Sequence, residues 1–191
     1  MLRSPAACFN GGMTVAVTGL STVGHSNRSI KEFVSLLEAH AIGHVVDVRK
    51  LAGSRRYPQF NADALAESLA DRSIAFSRSE GLTGRRPVSR EVPFEVNGWW
   101  ENRSFHNYAD HALSTEFGTA LGELRALGES VHAAVMCSEA VWWRCHRRII
   151  ADHLIAGGAT VEHVMGPGPA ATATLSRGAV LDQERGVVYP A

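Results

Sequence analysis

Residues 14–49 read TVAVTGLSTVGHSNRSIKEFVSLLEAHAIGHVVDVR, and this stretch decides the fold. Its first seven residues are apolar and β-branched, and Ser21, Thr22 and Gly24 close them, so they predict a first strand. Ser29 stands where a helix cap belongs, and Ile30, Phe33, Val34, Leu36 and Leu37 follow at helical spacing until Gly43. Val45-Val46-Asp47-Val48 is then a short apolar run that finishes on Asp47 and Arg49, as strands buried on both faces do. Strand, helix and strand within about 35 residues make a βαβ unit.

Outward from that unit the pattern repeats. Residues 50–61 form a polar loop carrying Ser54-Arg55-Arg56-Tyr57-Pro58, followed by a helix at 62–71 and a short strand at 74–77. From 80 to 103 periodicity dissolves into Gly, Pro, Arg and the pair Trp99-Trp100; so long an irregular stretch inside a domain is usually functional or mobile. Helical spacing resumes over 105–127. A buried strand is predicted at 131–136, a helix at 145–156 stopped by Gly157-Gly158, and a last core strand at 160–165. Residues 166–191 read as a Pro/Gly/Ala-rich linker and a weak tail, and residues 1–13 as a disordered leader. The order predicts a single α/β domain whose mostly parallel sheet carries helices on both faces. Ligands of such sheets bind beyond the carboxyl ends of the strands. The site is therefore expected in segments 25–28, 47–56, 80–86 and 137–148.

Composition narrows the classes. A chain of 191 residues is long enough to bury a real core. Nineteen basic residues balance nineteen acidic ones, so no global field draws the protein to nucleic acid or an anionic membrane. The arginines nevertheless cluster, as Arg55/Arg56, Arg85/Arg86/Arg90 and Arg144/Arg147/Arg148. Three cysteines, Cys8, Cys137 and Cys145, are too few and too irregular for a disulfide framework and point to a reducing compartment. No apolar run approaches the ~20 residues of a membrane span. The expected location is the cytoplasm.

The sequence also carries Thr-Val-Gly-His-Ser-Asn-Arg at 22–28, Asp-Val-Arg at 47–49, Ser-Arg-Arg-Tyr-Pro-Gln-Phe-Asn at 54–61, Tyr-Ala-Asp at 108–110 and Met-Cys-Ser-Glu with Cys-His-Arg at 136–147. These motifs, in order over residues 14–165, resemble the mainly bacterial family known as domain of unknown function 488. The resemblance implies an α/β domain with a shared polar site, and it delivers no activity. Three places depart from the family's pattern: Phe105-His106-Asn107 before Tyr108, Ala140-Val141-Trp142-Trp143 before Arg144, and Ala52-Gly53 where a proline is usual.

Several chemistries compete for the polar residues. Cys137, Cys145, His146 and His25 could hold a metal, but the paired-cysteine spacing of structural zinc is absent, and a free cysteine after a buried strand is most often a small hydrophobe. No metal and no cofactor is expected. Thiol chemistry is the second candidate. The strand ending Asp47-Val48-Arg49 resembles a rhodanese strand, although the rhodanese active loop, a cysteine in a tight anion-cradling turn, is not evident. Cys145 at a helix start would have its thiolate favoured by the dipole and nearby arginines.

Glu139 and Asp47 lead the ranking. Two carboxylates converging after neighbouring strands would repel, raising one pKa and supplying an acid/base or electrostatic pair. The competing reading pairs Asp47 with Arg49 or Arg55, and Glu139 with Arg147, as locks on loops. His146, Arg147 and Arg148 opening a helix suit an anion. Arg55 and Arg56, with Tyr108 and Trp142 among the aromatics, could grip an unstacked base and its backbone, and His25, Ser26, Asn27, Arg49 and Cys145 complete the predicted binding set. The sequence thus leads to an enzyme on DNA or a nucleotide that cleaves a base from its sugar with Glu139 and Asp47. Cysteine-dependent sulfur or acyl chemistry and a non-catalytic nucleic-acid-binding module are the alternatives.

Overall fold

The computed structural model describes residues 18–191, so the expected leader and the start of the first predicted strand lie outside the described residues. Five strands run parallel: β1 (Gly19–Gly24), β2 (His44–Asp47), β3 (Ala75–Arg78), β4 (His132–Cys137) and β5 (Val161–Val164). A two-residue strand, β6 (Ala171–Thr172), pairs antiparallel with β5, and the order across the sheet is β3-β2-β4-β1-β5-β6. Helices α1 (Ile30–Ala39), α2 (Ala62–Ala70), α3 (Arg103–His111), α4 (Thr115–Ser130) and α5 (Arg147–Ala156) cover it. This is the predicted α/β layering. Among the described residues no helix is long and apolar enough to cross a membrane.

The period of a strand explains the two-sided core. Val45 and Val46 are neighbours in β2 and must point to opposite faces. Val45, with Val23, Ala134 and Met136, packs on Phe33, Leu37, Leu65 and Leu69 of α1 and α2. Val46, with Leu20 and Val135, packs on Tyr108, Phe117, Ile149 and Leu154 of α3, α4 and α5. Ser29 caps α1 as its position predicted: its hydroxyl accepts from Glu32 N at 3.2 Å, while the Glu32 carboxylate accepts from Ser29 N at 2.7 Å.

Three elements differ from the sequence pattern. The helical spacing over 105–127 is two helices, because Ser114 turns out of the first and caps the second by accepting from Phe117 N. The helix expected from Cys145 begins at Arg147, and Cys145 is extended backbone after a short 3-10 turn at Trp142–Arg144. The C-terminal stretch beyond 166 is neither linker nor weak tail. A hairpin, β7 (Val180–Asp182) and β8 (Gly186–Val188), carries Tyr189 into the core at 0% exposure. There Tyr189 Oη donates to Asp152 Oδ2 at 2.8 Å, and Ser176 N donates to Oδ1 of the same carboxylate. A tail of low hydrophobic density is held by polar bonds to a buried acid, which hydrophobic periodicity does not report.

The order of the strands positions the site. β4 enters the sheet between β1 and β2, so Gly24, Asp47 and Cys137 end three adjacent strands.

Candidate active site

Beyond those three strand ends lies an open cleft of about 270 Å³. Its floor and walls come from Arg49, Lys50 and Leu51 after β2, Gly84 and Arg85 from the irregular stretch, Ser104 and Phe105 of α3, and Cys137, Ser138, Glu139, Arg144, Cys145 and His146 after β4.

The chain after β1 fixes the chain after β4. His25 N donates to Cys137 O and Ser26 N to Ser138 O, both at 3.0 Å, which continues the parallel ladder past the sheet. Gly24 makes this possible: a Cβ there would collide with the backbone carbonyl of Glu139. That carbonyl also accepts from Arg147 Nη2. Glu139 therefore stands on a clamped backbone with its side chain exposed on the cleft wall.

Asp47 has a different fate. It is 0% exposed, and both its oxygens hold Arg49: Oδ1 accepts from Nε at 2.9 Å and Oδ2 from Nη2 at 2.7 Å. Oδ1 also accepts from Arg49 N, and Arg78 Nε lies 3.9 Å from Oδ2. Arg49 lines the cleft, while Asp47 behind it does not. Asp47 is thus the anchor of an arginine, and the converging pair of carboxylates does not form. His25 belongs to the same anchor. Its Nδ1 donates to Ser26 O at 2.9 Å, so Nε2 is left to accept from Arg49 Nη1 at 3.2 Å, and its ring stacks on Phe60. Burial holds the His25 imidazole down to about 4, so it is neutral near pH 7.

The second group is sulfur. Cys137 Sγ, Cys145 Sγ and a ring nitrogen of His146 all lie within 4.8 Å of one another. Arg147, 1% exposed, donates Nε–H to Cys145 Sγ at 3.3 Å, and His146 Nδ1 is 3.6 Å from the same sulfur. Burial of Cys145 acts to raise its pKa, but the Cys137 S–H, the Arg147 charge and the Arg147 N–H groups together outweigh it and hold the thiol down to about 6. Cys137 is pushed up to about 12, first because its proton is engaged by Cys145 and next by burial. The surroundings thus favour the charge on Cys145 and the proton on Cys137. The three donors also form a set that suits a soft ion such as zinc, with one side open to the cleft. The guanidinium bonded to Cys145 Sγ opposes a cation there.

His146 is held in place from behind. A Cβ at Gly84 would stand 2.7 Å from its Nδ1, and the Tyr108 ring lies 4.7 Å from its own. Tyr108 Oη donates to Leu82 O at 2.8 Å. Tyr108 is therefore a buried support rather than a cleft wall.

Of the residues predicted for binding, Arg49, Cys145 and His146 line the cleft together with Glu139, and His25 and Arg147 sit directly behind it. Arg55 and Arg56 are exposed on their loop and do not line it. Ser26 and Asn27 lie on the turn after β1, outside the cleft lining. Trp142 stacks on His163 at 4.2 Å instead of facing the cleft. Arg147 and Arg148, predicted as anion ligands, are already engaged: Arg147 by Cys145 and the Glu139 carbonyl, Arg148 by Ser176 Oγ at 2.7 Å and the faces of Trp99, Trp100 and Trp142. Sequence reasoning left out Lys50, Ser104 and Arg144 as single contributors and undervalued Cys137. The clustering of Arg144 with Arg147 was the available signal, and only the helix start decides which of them faces the cleft.

No curated protein and no solved structure matches the chain. A family model does, over residues 29–154, a span from the cap of α1 through the cysteine pair and most of α5. The chain belongs to the family described as Domain of unknown function DUF488.

Proposed function

We propose that this chain is a thiol-dependent enzyme with Cys145 as its nucleophile. What supports the reading is one convergence: Arg147 Nε at 3.3 Å, His146 Nδ1 at 3.6 Å and the Cys137 thiol all address one sulfur at the base of a cleft. A cysteine kept only for packing has no use for a buried guanidinium. In the reaction, Cys145 Sγ attacks an electrophilic carbon or sulfur of the substrate. The leaving group departs with the bonding electron pair and takes a proton from His146 or water. Water (at carbon) or a second thiol (at sulfur) then attacks the atom bound to Cys145, and Cys145 leaves as the thiolate with that bond's electron pair. The cysteine pair must stay reduced to work, which fits a reducing compartment such as the cytoplasm.

The test is intact-protein mass spectrometry after brief exposure to thioester and thiosulfonate substrates. A covalent adduct on Cys145, absent from Cys145→Ser, supports the reading. Full turnover in Cys145→Ala removes it.

A second reading, release of a base from a nucleic acid or nucleotide, rests on Glu139. Its carboxylate is exposed on the same wall as Phe105, Arg85 and Arg144, an aromatic face with cations around it. Here Asp47 has no direct part, and Glu139 alone would activate water or steady the sugar cation. Glu139→Gln separates the two: it abolishes base release and leaves Cys145 adduct formation intact. A pure binding module shows neither adduct nor released base.

A further inference from the structure

We propose that Arg49, Lys50, Arg85 and Arg144 form a subsite for the phosphoryl group of a small substrate, beside Cys145. The inference rests on the thiol reading only for calling that ligand a substrate; the cations themselves do not depend on it.

Charge is the first ground. Four cations and one acid, Glu139, line the cleft. Arg49 is neutralised from behind by Asp47. Lys50, Arg85 and Arg144 have no ion-pair partner among the described residues. Like charges gathered on one concave surface repel, and a bound anion relieves that repulsion. A dianion with several oxygens suits the set better than a single carboxylate, because the cations approach from three separate segments.

Donor geometry is the second. Arg49 donates Nε and Nη2 to Asp47 and Nη1 to His25, which leaves one N–H on each terminal nitrogen. The side chain is 6% exposed and is held from both sides, so those two hydrogens are fixed in direction before any ligand arrives. Donors held in place before binding suit an oxoanion, which accepts several charge-assisted bonds at once.

The backbone supplies the third. Arg85 has φ 58°, a left-handed conformation that costs a non-glycine residue about 1 kcal/mol or more. It follows Gly84, which packs beneath His146. The chain thus holds an arginine on the rim at a position where glycine would be easier.

Size and surroundings choose the ligand. About 270 Å³ accommodates a phosphoryl group with a short organic body. The exposed Arg55 and Arg56 do not line the cleft, so among the described residues they do not extend its cations into a track for a polynucleotide backbone. A free phosphorylated small molecule and the phosphate of an oligonucleotide share the same chemistry, and the experiment must part them.

Calorimetric titrations at low ionic strength with inorganic pyrophosphate, AMP and a short oligothymidylate provide the test, with iodoacetamide labelling of Cys145 run in parallel. Saturable pyrophosphate binding that slows Cys145 labelling is expected. Arg85→Gln and Arg144→Gln should each weaken that binding about tenfold, the size of a lost charge-assisted bond. Arg72→Gln, which alters an exposed pair with Glu38 away from the cleft, should not change it. Cys145→Ala should still bind pyrophosphate, at least as tightly as the parent chain, so the subsite can stand if the thiol reading falls. Absence of saturable binding overturns the subsite. So does equal affinity in the parent chain, Arg85→Gln and Arg144→Gln. Oligothymidylate binding tenfold tighter than AMP overturns the small-molecule assignment.

Discussion

Asp47 holds Arg49 through both carboxylate oxygens, at 2.9 and 2.7 Å, in a place where the acid is wholly buried and the arginine just reaches the cleft. The pair sets a direction for the guanidinium that a solvated arginine would lack. Removing one partner leaves the other charged and buried. Asp47→Asn should therefore lose about 3–5 kcal/mol of unfolding free energy, read from the midpoint of a urea titration. A loss below 1 kcal/mol would show that Arg49 finds another counter-charge and that the anchor is dispensable.

The two cysteines should label in a fixed order. With Cys145 held down to about 6 and Cys137 pushed up to about 12, iodoacetamide should modify Cys145 first, with its rate rising through about pH 6. Arg147→Met removes the guanidinium from the sulfur and should move that midpoint upward. Peptide mapping after timed labelling across pH 5–9 checks both points. Equal labelling of the two thiols, or a Cys145 midpoint near 9, contradicts the assignment of the thiolate.

Gly84→Ala tests the support of His146. The added Cβ would stand 2.7 Å from Nδ1 and 2.9 Å from Cε1, so the ring must shift from its place beside Cys145. Turnover should fall at least tenfold while the melting temperature drops only a few degrees, since the crowding is confined to one side chain. Unchanged turnover would mean that His146 has no part in the chemistry.

Acid should unfold the protein early. His25, His153 and His163 are each held down to about 4, mainly by burial, whereas an exposed imidazole titrates near 6.5. Below pH 6.5 the unfolded chain takes up protons that the folded chain refuses, so stability is kept above that pH and lost as pH falls towards 4. Each imidazole contributes a slope of at most about 1.4 kcal/mol per pH unit. His153, whose Nε2 is buried without a partner, is the cleanest to remove. His153→Leu should flatten the pH dependence of thermal unfolding between 4 and 6.5, and an unchanged slope would contradict the assignment.

Tyr189 tests whether the C-terminal hairpin is part of the domain. Tyr189→Ala removes a buried ring and strips Asp152 of one donor, and should lose on the order of 3–5 kcal/mol. Tyr189→Phe keeps the ring and should lose about 1–2 kcal/mol. Both are measured by chemical denaturation. Near-equal stability of the parent chain and Tyr189→Ala would make the hairpin an appendage.

The sequence by itself determined the layers and the end of the sheet at which polar residues gather. Val45 and Val46 read as a buried strand, Ser29 as the cap of a helix, and a parallel sheet places its clefts after its strands. Those are local signals, governed by periods of two and 3.6 residues and by caps a few residues long. The division of labour inside the site was not local. Whether Asp47 faces a substrate or an arginine depends on where Arg49, His25 and Arg78 meet. Cys145 lies eight positions beyond Cys137 in the chain, yet the two sulfurs come together because a 3-10 turn folds the segment back, and Arg147 reaches one of them only because α5 starts two residues later than its apolar pattern. The buried tail was likewise invisible, since Ser176 and Tyr189 are held by one carboxylate on α5. Hydrophobic pattern fixes which way an element faces; which polar atoms then find one another is decided only when the elements are packed, because a hydrogen bond acts over about 3 Å and carries no periodic trace in the sequence.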